Sequence, residues 1–329
     1  MAILDLHCDT ISVIDRLKRK EGIDISLKEN KLQVDQKKLL SGNYFAQCFA
    51  MFVFFDCENP FEACINLIDT FYEKICECKH IKLALNYDDL IKNNKDNKIS
   101  AILTIEEGGV CKNNLSFLNT FYRLGVRMIC LNWNFVNGVG YPNYGKYIDD
   151  KPDFITPNTK DGLTEFGFSM VKRMNELGMV IDVSHLSDKG FWDVINTSTK
   201  PIVASHSNAR AVCKFVRNLT DDMIIALHQN GGVMGMNYCA AFLNDDENIG
   251  KNTIDWVIEH IKHIKDLVGV DVISLGSDFD GINPDIELKD ASYMTMLVER
   301  LKIEGFNEEE IDKMCYKNAL RVFKEVLKK

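Results

Sequence analysis

Histidines and carboxylates recur in this sequence just after short apolar runs, a pattern that can hold metal. The stretch from Met179 to His206 shows it best: MVIDVSHLS, a helix-length segment, then PIVASHS. Both apolar runs end in Ser-His, and His185 and His206 stand 21 residues apart. His7-Cys8-Asp9 follows another such run, as do Glu106-Glu107-Gly108-Gly109, Asn132-Trp133-Asn134, Asn237-Tyr238 and Ser277-Asp278-Phe279-Asp280-Gly281. Imidazole and carboxylate together suit Zn²⁺ and similar divalent ions. Three histidines with two or three carboxylates exceed the needs of one tetrahedral ion. Two ions about 3.5–4 Å apart, bridged by a carboxylate, would use them all. Alternation in an extended chain puts His7 and Asp9 on one side, but it leaves open whether Glu106 or Glu107 faces the ions. Taken singly, each motif has a plainer reading: a hydrogen-bonded structural histidine, a turn at Glu-Gly-Gly, an acidic turn at Asp-Phe-Asp-Gly. Their joint placement is what supports metal.

The elements that must position these residues are short, β-branched and almost uninterrupted, as strands buried on both faces are. Eight fit, at 3–6, 45–54, 99–105, 128–131, 180–184, 202–205, 232–237 and 272–276. Residues 188–198 have room for one crossover helix between the two Ser-His strands, which makes that stretch a βαβ unit. Eight strand–helix alternations in a chain somewhat above ~250 residues predict a (β/α)8 TIM barrel of the metal-dependent hydrolase type. Residues 1–329 read as a single catalytic domain, with chemistry at the carboxyl ends of the strands. The Gly-, Pro-, Asn- and Tyr-rich segment 137–161 is long for a loop and follows strand four at that face. The polar stretch 86–98 reads as a solvated helix end and turn. Thr220, Thr253 and Asn307 mark helix starts, with Gly231 and Gly269 as stops. On the helix over 254–267, His260 falls at the flank of the apolar stripe and His263 on the polar side, so both are expected at the surface or its boundary. His228 and His80 do not look like ligands either.

The bulk numbers bound the partners. A net charge of −9 and a pI near 5.4 argue against nucleic-acid binding, which needs a basic face. Eleven cysteines without paired spacing fit a reducing cytoplasm better than a disulfide framework. No run reaches the ~18 apolar residues of a membrane span, and neither terminus reads as a signal or anchor. The expectation is a cytoplasmic protein with no membrane partner. The sequence does not fix the oligomeric state and allows a homodimer.

With these motifs assembled, the chain resembles the membrane (renal) dipeptidase family, the M19 metallopeptidases among the amidohydrolase-like barrels. The resemblance runs through LDLHCDT, IEEGG, GVRMICLNWN, GLTEFG, IDVSH, PIVASHSNARAVC, VRNLTDD, GGVMGMNY, LGSDFDG and NALRVF, in that order. It implies a metallo-dipeptidase with two Zn²⁺ or similar ions per chain. Its substrates would be dipeptides with a free C-terminal carboxylate, including those with a D-residue at that end. By resemblance His7 and Asp9 would hold one ion and His185 and His206 the other. Glu107, the Glu immediately before Gly-Gly in the family pattern, would bridge them. Asp278 matches the catalytic acid/base and Arg217 the arginine that takes the substrate carboxylate, while Tyr238 lies near the substrate pocket. Trp133 stands where mammalian members carry a histidine that contacts the scissile carbonyl. Its indole N–H donates one hydrogen bond but cannot carry a proton, which makes Asn134 and Asn137 candidates for polarising that carbonyl. Arg210 lacks the family match and reads as a surface residue. Two rival readings remain. One is a lactonase or deacetylase on the same metals, although such relatives usually show H-x-H on strand one. The other is a non-catalytic peptide-binding barrel.

Overall fold

The computed structural model describes residues 2–55, 57–144, 147–148, 151–244 and 253–328. Eight parallel strands form the barrel: β1 (Ile3–Asp5), β2 (Tyr44–Phe52), β3 (Ile99–Glu106), β4 (Val126–Cys130), β5 (Val180–Asp182), β6 (Val203–Ala204), β7 (Val233–Met236) and β8 (Ile273–Leu275). Their order is β2-β1-β8-β7-β6-β5-β4-β3, and the sheet closes on itself where β2 pairs with β3, from Ala46 opposite Ser100 to Phe52 opposite Glu106. Closure leaves neither β2 nor β3 as an open edge. The crossover between β5 and β6 is the helix Asp188–Thr197, whose N-cap Ser187 accepts from Gly190 N–H.

Two apolar layers hold the barrel. Outward-facing residues such as Ala101, Leu103 and Ile105 pack against the surrounding helices. Inward and lower residues, among them Leu4, Ala46, Cys48, Ile102, Met128, Val180, Val203 and Val233, share a cluster with Ala319, Val322, Phe323 and Val326. The last four lie on the terminal helix Asn318–Val326, so that helix stoppers the end of the barrel where the strands begin. The opposite end, where the strands finish, stays open for polar side chains.

Helix punctuation follows the expected chemistry. Thr220 caps Asp221–Gln229, and Asn307 forms a reciprocal capping box with Glu310 at Glu308–Asp312. Two local expectations are corrected. A further strand, Ile81–Leu83, pairs with the start of β3 before β4 takes over that edge at Leu103. Residues 86–98 contain a complete helix, Tyr87–Lys95, that buries Leu90 and Asn93 and is capped by Asn86. His260 is also not at the surface. It is fully buried on Thr253–Val268, its Nδ1 accepting from Ala209 N–H at 3.1 Å and its Nε2 lying 3.0 Å from Leu243 O. It ties together the loops that follow β6 and β7. His263 does lie towards solvent, paired with Asp221 at 2.8 Å. The segment 137–161 includes a short antiparallel pair, Tyr147–Ile148 with Lys151–Pro152, and its residues 145–146 and 149–150 lie outside the described set. Among the described residues no helix is long and apolar enough to cross a membrane.

The terminal helix gives a direct test of this architecture. Phe323 is fully buried, so Phe323→Ala is expected to cost about 3–5 kcal/mol in chemical denaturation. Divalent-ion binding at the far end of the barrel should survive in the folded fraction. A loss below about 1 kcal/mol would show that the helix does not close the barrel floor.

Candidate metal centre and substrate pocket

The site begins with one carboxylate. Along β3 the residues Ser100, Ile102, Thr104 and Glu106 share one parity and Ala101, Leu103 and Ile105 the other, and the second set packs on the helices. Glu106 therefore points into the barrel mouth. Its Oε1 lies 3.0 Å from His185 Nε2 and 3.4 Å from His206 Nε2, and its Oε2 lies 3.4 Å from His7 Nε2. His7 Nε2 is also 3.3 Å from Asp9 Oδ2 and 3.8 Å from Asp278 Oδ1. Two of the convergent groups of ligand-type atoms are His185 and His206 with Glu106, and His7 with Asp9 and Asp278. One oxygen of Glu106 faces each group.

This corrects the expected bridge. Glu107 is not in the cluster. The chain leaves the strand there, with φ 104° and ψ 85°, and its side chain turns away. Its Oε1 accepts from Gly109 N–H at 2.7 Å and from Asn137 Nδ2, and its Oε2 accepts from Trp133 N–H at 3.0 Å. Such a backbone conformation costs a non-glycine residue about 1–3 kcal/mol. Burial pushes the Glu107 carboxyl up to about 7, against the pull of those donors. The polar parity of Ser100, Thr104 and Glu106 was the available signal, because barrel lumens near the mouth admit polar side chains that the helix-facing side does not.

Counting protons tests whether a cation fits. Ser205 Oγ donates to Asp182 Oδ2 at 2.5 Å, so towards His206 Nδ1, 2.7 Å away, it can only accept. Asn134 Oδ1 is likewise an acceptor, 2.9 Å from His185 Nδ1. Both imidazoles therefore carry their proton on Nδ1 and turn bare Nε2 lone pairs into the cluster. Those two nitrogens are 3.0 Å apart and face a carboxylate oxygen, with no proton left to place between them. Three lone pairs converging in this way are stabilised by a cation, and a ligating histidine fixed through its other nitrogen is the usual outer-shell arrangement. Asp9 Oδ1 adds a buried oxygen with no hydrogen-bond partner. The residues present fit divalent metal.

The electrostatics agree. Burial alone would raise Glu106, but the neighbouring His7 charge holds that carboxyl well below the usual range. Burial works against charging His7, yet Glu106 and Asp9 raise it well above an ordinary histidine. Burial, aided by the Arg217 charge, lowers His185 to about 3, and burial also holds His206 far down. The anionic side of the cluster attracts positive charge, while His185 and His206 stay neutral. Asp182 lies near His7 and His206 but is spent elsewhere, accepting from the backbone N–H and hydroxyl of both Ser184 and Ser205. Asp5 repeats that device, accepting from His7 N–H and from Ser277 N–H and Oγ. These two buried aspartates, unforeseen in the sequence, stitch β5 to β6 and β1 to β8 just below the cluster.

Asp278 stands at φ 62° on the rim of β8, its Oδ2 accepting from Asn237 Nδ2 at 2.9 Å. Burial, reinforced by Asp9 and Glu106 against the opposing pull of His7, pushes its carboxyl up to about 8. Gly281 is required beside it, since a Cβ there would come within 2.2 Å of Asp9 Oδ2 and 2.6 Å of Asp278 Oδ1. Because Asn237 faces inward, its neighbour Tyr238 faces out. Tyr238 is fully buried, packs on the Phe279 ring and does not line the pocket, which corrects its expected substrate contact.

A cavity of about 970 Å³ opens above the cluster, with Glu106, His185, His206, Asp278, Arg217 and Trp133 in its walls. Trp133 belongs to an aromatic wall with Phe52 at 5.0 Å and Phe54 at 5.7 Å between ring centres. Asn134 and Asn137, candidates for the scissile carbonyl, are already engaged, with His185 and with Glu107. Arg217 is buried, its guanidinium donating to Ser184 O and to His206 O at 3.2 Å, while its Nε–H has no partner. Arg210 is no surface residue: it grips Asp188 bidentately at 2.7 and 2.8 Å and braces the loop that carries Arg217.

The register of the bridge is testable. Glu106→Gln replaces one ligand oxygen by an amide NH₂, which cannot ligate, and is expected to strip divalent ions from both groups in elemental analysis of the purified protein. Full ion content in that variant would remove Glu106 from the centre.

The membrane dipeptidase model (peptidase family M19) matches residues 1–329. Dipeptidase tcpJ of Claviceps purpurea is 30% identical over 307 residues, covering 89% of this chain and 69% of that protein. Among solved structures, the dipeptidase AC, a metallopeptidase of family M19, superposes with a TM-score of 0.90 at 26% identity, covering 99% of both chains. The metallopeptidase of Rhodobacter sphaeroides, liganded with a phosphinate mimic of the dipeptide L-Ala-D-Ala, gives 0.88 at 24% identity, again covering 99% of both. The family match over the whole chain and the barrel shared with those structures lead to one conclusion: this chain belongs to the membrane dipeptidase family, peptidase family M19, and is a metallo-dipeptidase.

Proposed function

We propose that this enzyme uses two zinc-like ions to hydrolyse dipeptides that end in a free carboxylate. The observation that carries this reading is Arg217. Its guanidinium is buried in the wall of the same cavity as the ligand cluster, and among the described residues no carboxylate lies within 4.0 Å of it. Burial disfavours its charge, lowering its pKa. A buried cation left without an anion is costly, so a ligand carboxylate at that point satisfies it. The unpartnered Nε–H adds a donor for the same group.

The ligand roles divide as the geometry does. His7, Asp9 and one oxygen of Glu106 would hold one ion, and His185, His206 and the other oxygen of Glu106 the second. Imidazole with carboxylate favours zinc. Bound there, the ions would supply Lewis acidity to the scissile carbonyl and lower the pKa of a nucleophilic water. Asp278 is the residue through which the proton passes. With Oδ2 fixed by Asn237, Oδ1 is the atom that takes a proton from the attacking water and returns it to the leaving amine. Arg217 sets the length of the substrate by demanding a carboxylate one residue beyond the scissile bond. The dipeptide mimic bound by the Rhodobacter sphaeroides metallopeptidase supports including dipeptides with a D-residue at the carboxyl end. Phe52, Phe54, Trp133, Phe215 and Phe242 all line the cavity, which favours apolar side chains on those substrates.

Arg217→Met is expected to lose a buried charge-assisted contact of about 2–5 kcal/mol, roughly 30- to several-thousand-fold in kcat/KM on free dipeptides. On dipeptide amides, which lack the carboxylate, the same variant should differ little from the parent enzyme. Equal parent rates on dipeptides and their amides would rule out the carboxylate requirement.

A further inference from the structure

Glu107 sits where a glutamate is least at ease. Its φ of 104° lies in the region that glycine enters freely and a residue with a Cβ only under strain. The residue nevertheless organises its surroundings. Three donors meet its two carboxylate oxygens, Gly109 N–H and Asn137 Nδ2 at one and Trp133 N–H at the other. Asn137 is in turn wrapped by its own loop, donating to Leu131 O at 3.0 Å and accepting from Val139 N–H at 2.7 Å and Gly140 N–H at 3.0 Å. All three of its hydrogen-bond partners are donors, which an acceptor-only carboxylate satisfies.

Between the two points that Glu107 holds, Trp133 and Asn137, lies Asn134. Its Oδ1 takes the Nδ1–H of His185 at 2.9 Å, which turns the Nε2 of that histidine towards Glu106. The Trp133 ring stands 6.0 Å from the His185 ring and lines the substrate cavity. We propose that Glu107 is a positioning residue: it holds the loop after β4 so that Asn134 locks the tautomer of His185 and Trp133 walls the substrate pocket. The strained backbone is retained because it aims this carboxylate sideways at the loop while Glu106, one residue earlier, aims into the barrel. Two adjacent glutamates thereby serve two layers of one site, and the bend between them is what separates their roles.

The proposal rests on the two-ion reading, and its test does not need dipeptide turnover. Glu107→Gln keeps the shape but sets an NH₂ against one of the converging donors. The full chain, stripped of metal, is titrated with Zn²⁺ against a chromophoric chelator. One of the two binding steps should weaken by about 10–100-fold, the same step that Asn134→Ala weakens, and the other should stay unchanged. In a Trp192→Phe, Trp256→Phe background, the emission of Trp133 should shift to the red as its loop loosens. If Glu107→Gln does not fold, Asn137→Ala, which removes a donor and keeps the carboxylate, should show the same selective weakening. Equal weakening of both steps would make Glu107 a ligand or a general stabiliser. Unchanged Zn²⁺ steps with unchanged Trp133 emission would remove the positioning role altogether. A parent enzyme that fails to hydrolyse dipeptides, with both readouts as expected, would fault the catalytic reading instead.

Discussion

Glu106 places a carboxylate at the centre of the barrel mouth, buried, with imidazoles on both sides. Desolvation works against charge at such a point, and the His7 charge beside it outweighs that penalty, so the charge persists where water has been excluded. Everything else in the site answers to this arrangement. The strand must end on the inward parity for Glu106 to reach the histidines, and the bend at the next residue turns Glu107 to the loop after β4. The barrel supplies the convergence: β1, β3, β5, β6 and β8 are far apart in sequence, and closure between β2 and β3 brings their carboxyl ends round one rim.

What keeps the convergent groups in register is a repeated buried aspartate. Asp182 binds the serines at the ends of β5 and β6, and Asp5 binds the serine at the end of β8 together with His7 N–H. Each carboxylate is buried but saturated with donors, which is the condition under which a buried charge orders its surroundings instead of destabilising them. Through Ser205 the first of these also fixes the proton on His206. Ligand orientation is therefore built from below by the barrel and from the side by the loop after β4, where Asn134 does for His185 what Ser205 does for His206.

Much of this was legible in the sequence, and for physical reasons. Strands buried on both faces read as apolar runs, and the residues just after them stood out as polar groups of ligand type. His7, Asp9, His185, His206 and Asp278 are brought together as that pattern indicates. The misplaced residues are those one position from a strand end, where chain neighbours take opposite faces. Alternation leaves Glu106 and Glu107 open and the Glu-Gly-Gly pattern of the family points to the wrong one, while Tyr238 turns outward because Asn237 turns in. His260 illustrates a different limit: helical periodicity placed it at a boundary, but the loops after β6 and β7 fold over it and supply hydrogen-bond partners. The strand Ile81–Leu83 is too short, with an exposed Lys82, to leave a pattern. Asp5 and Asp182 were hidden inside strands that otherwise look wholly apolar.

The central claim is that one carboxylate, that of Glu106, is shared between two ion sites. Crystals grown with Zn²⁺ and measured on both sides of the zinc absorption edge test it most directly. The account predicts two anomalous peaks per chain on opposite sides of the Glu106 carboxylate, one against His7 and Asp9, the other against His185 and His206. A single peak, or a peak against the oxygens of Glu107, would contradict it.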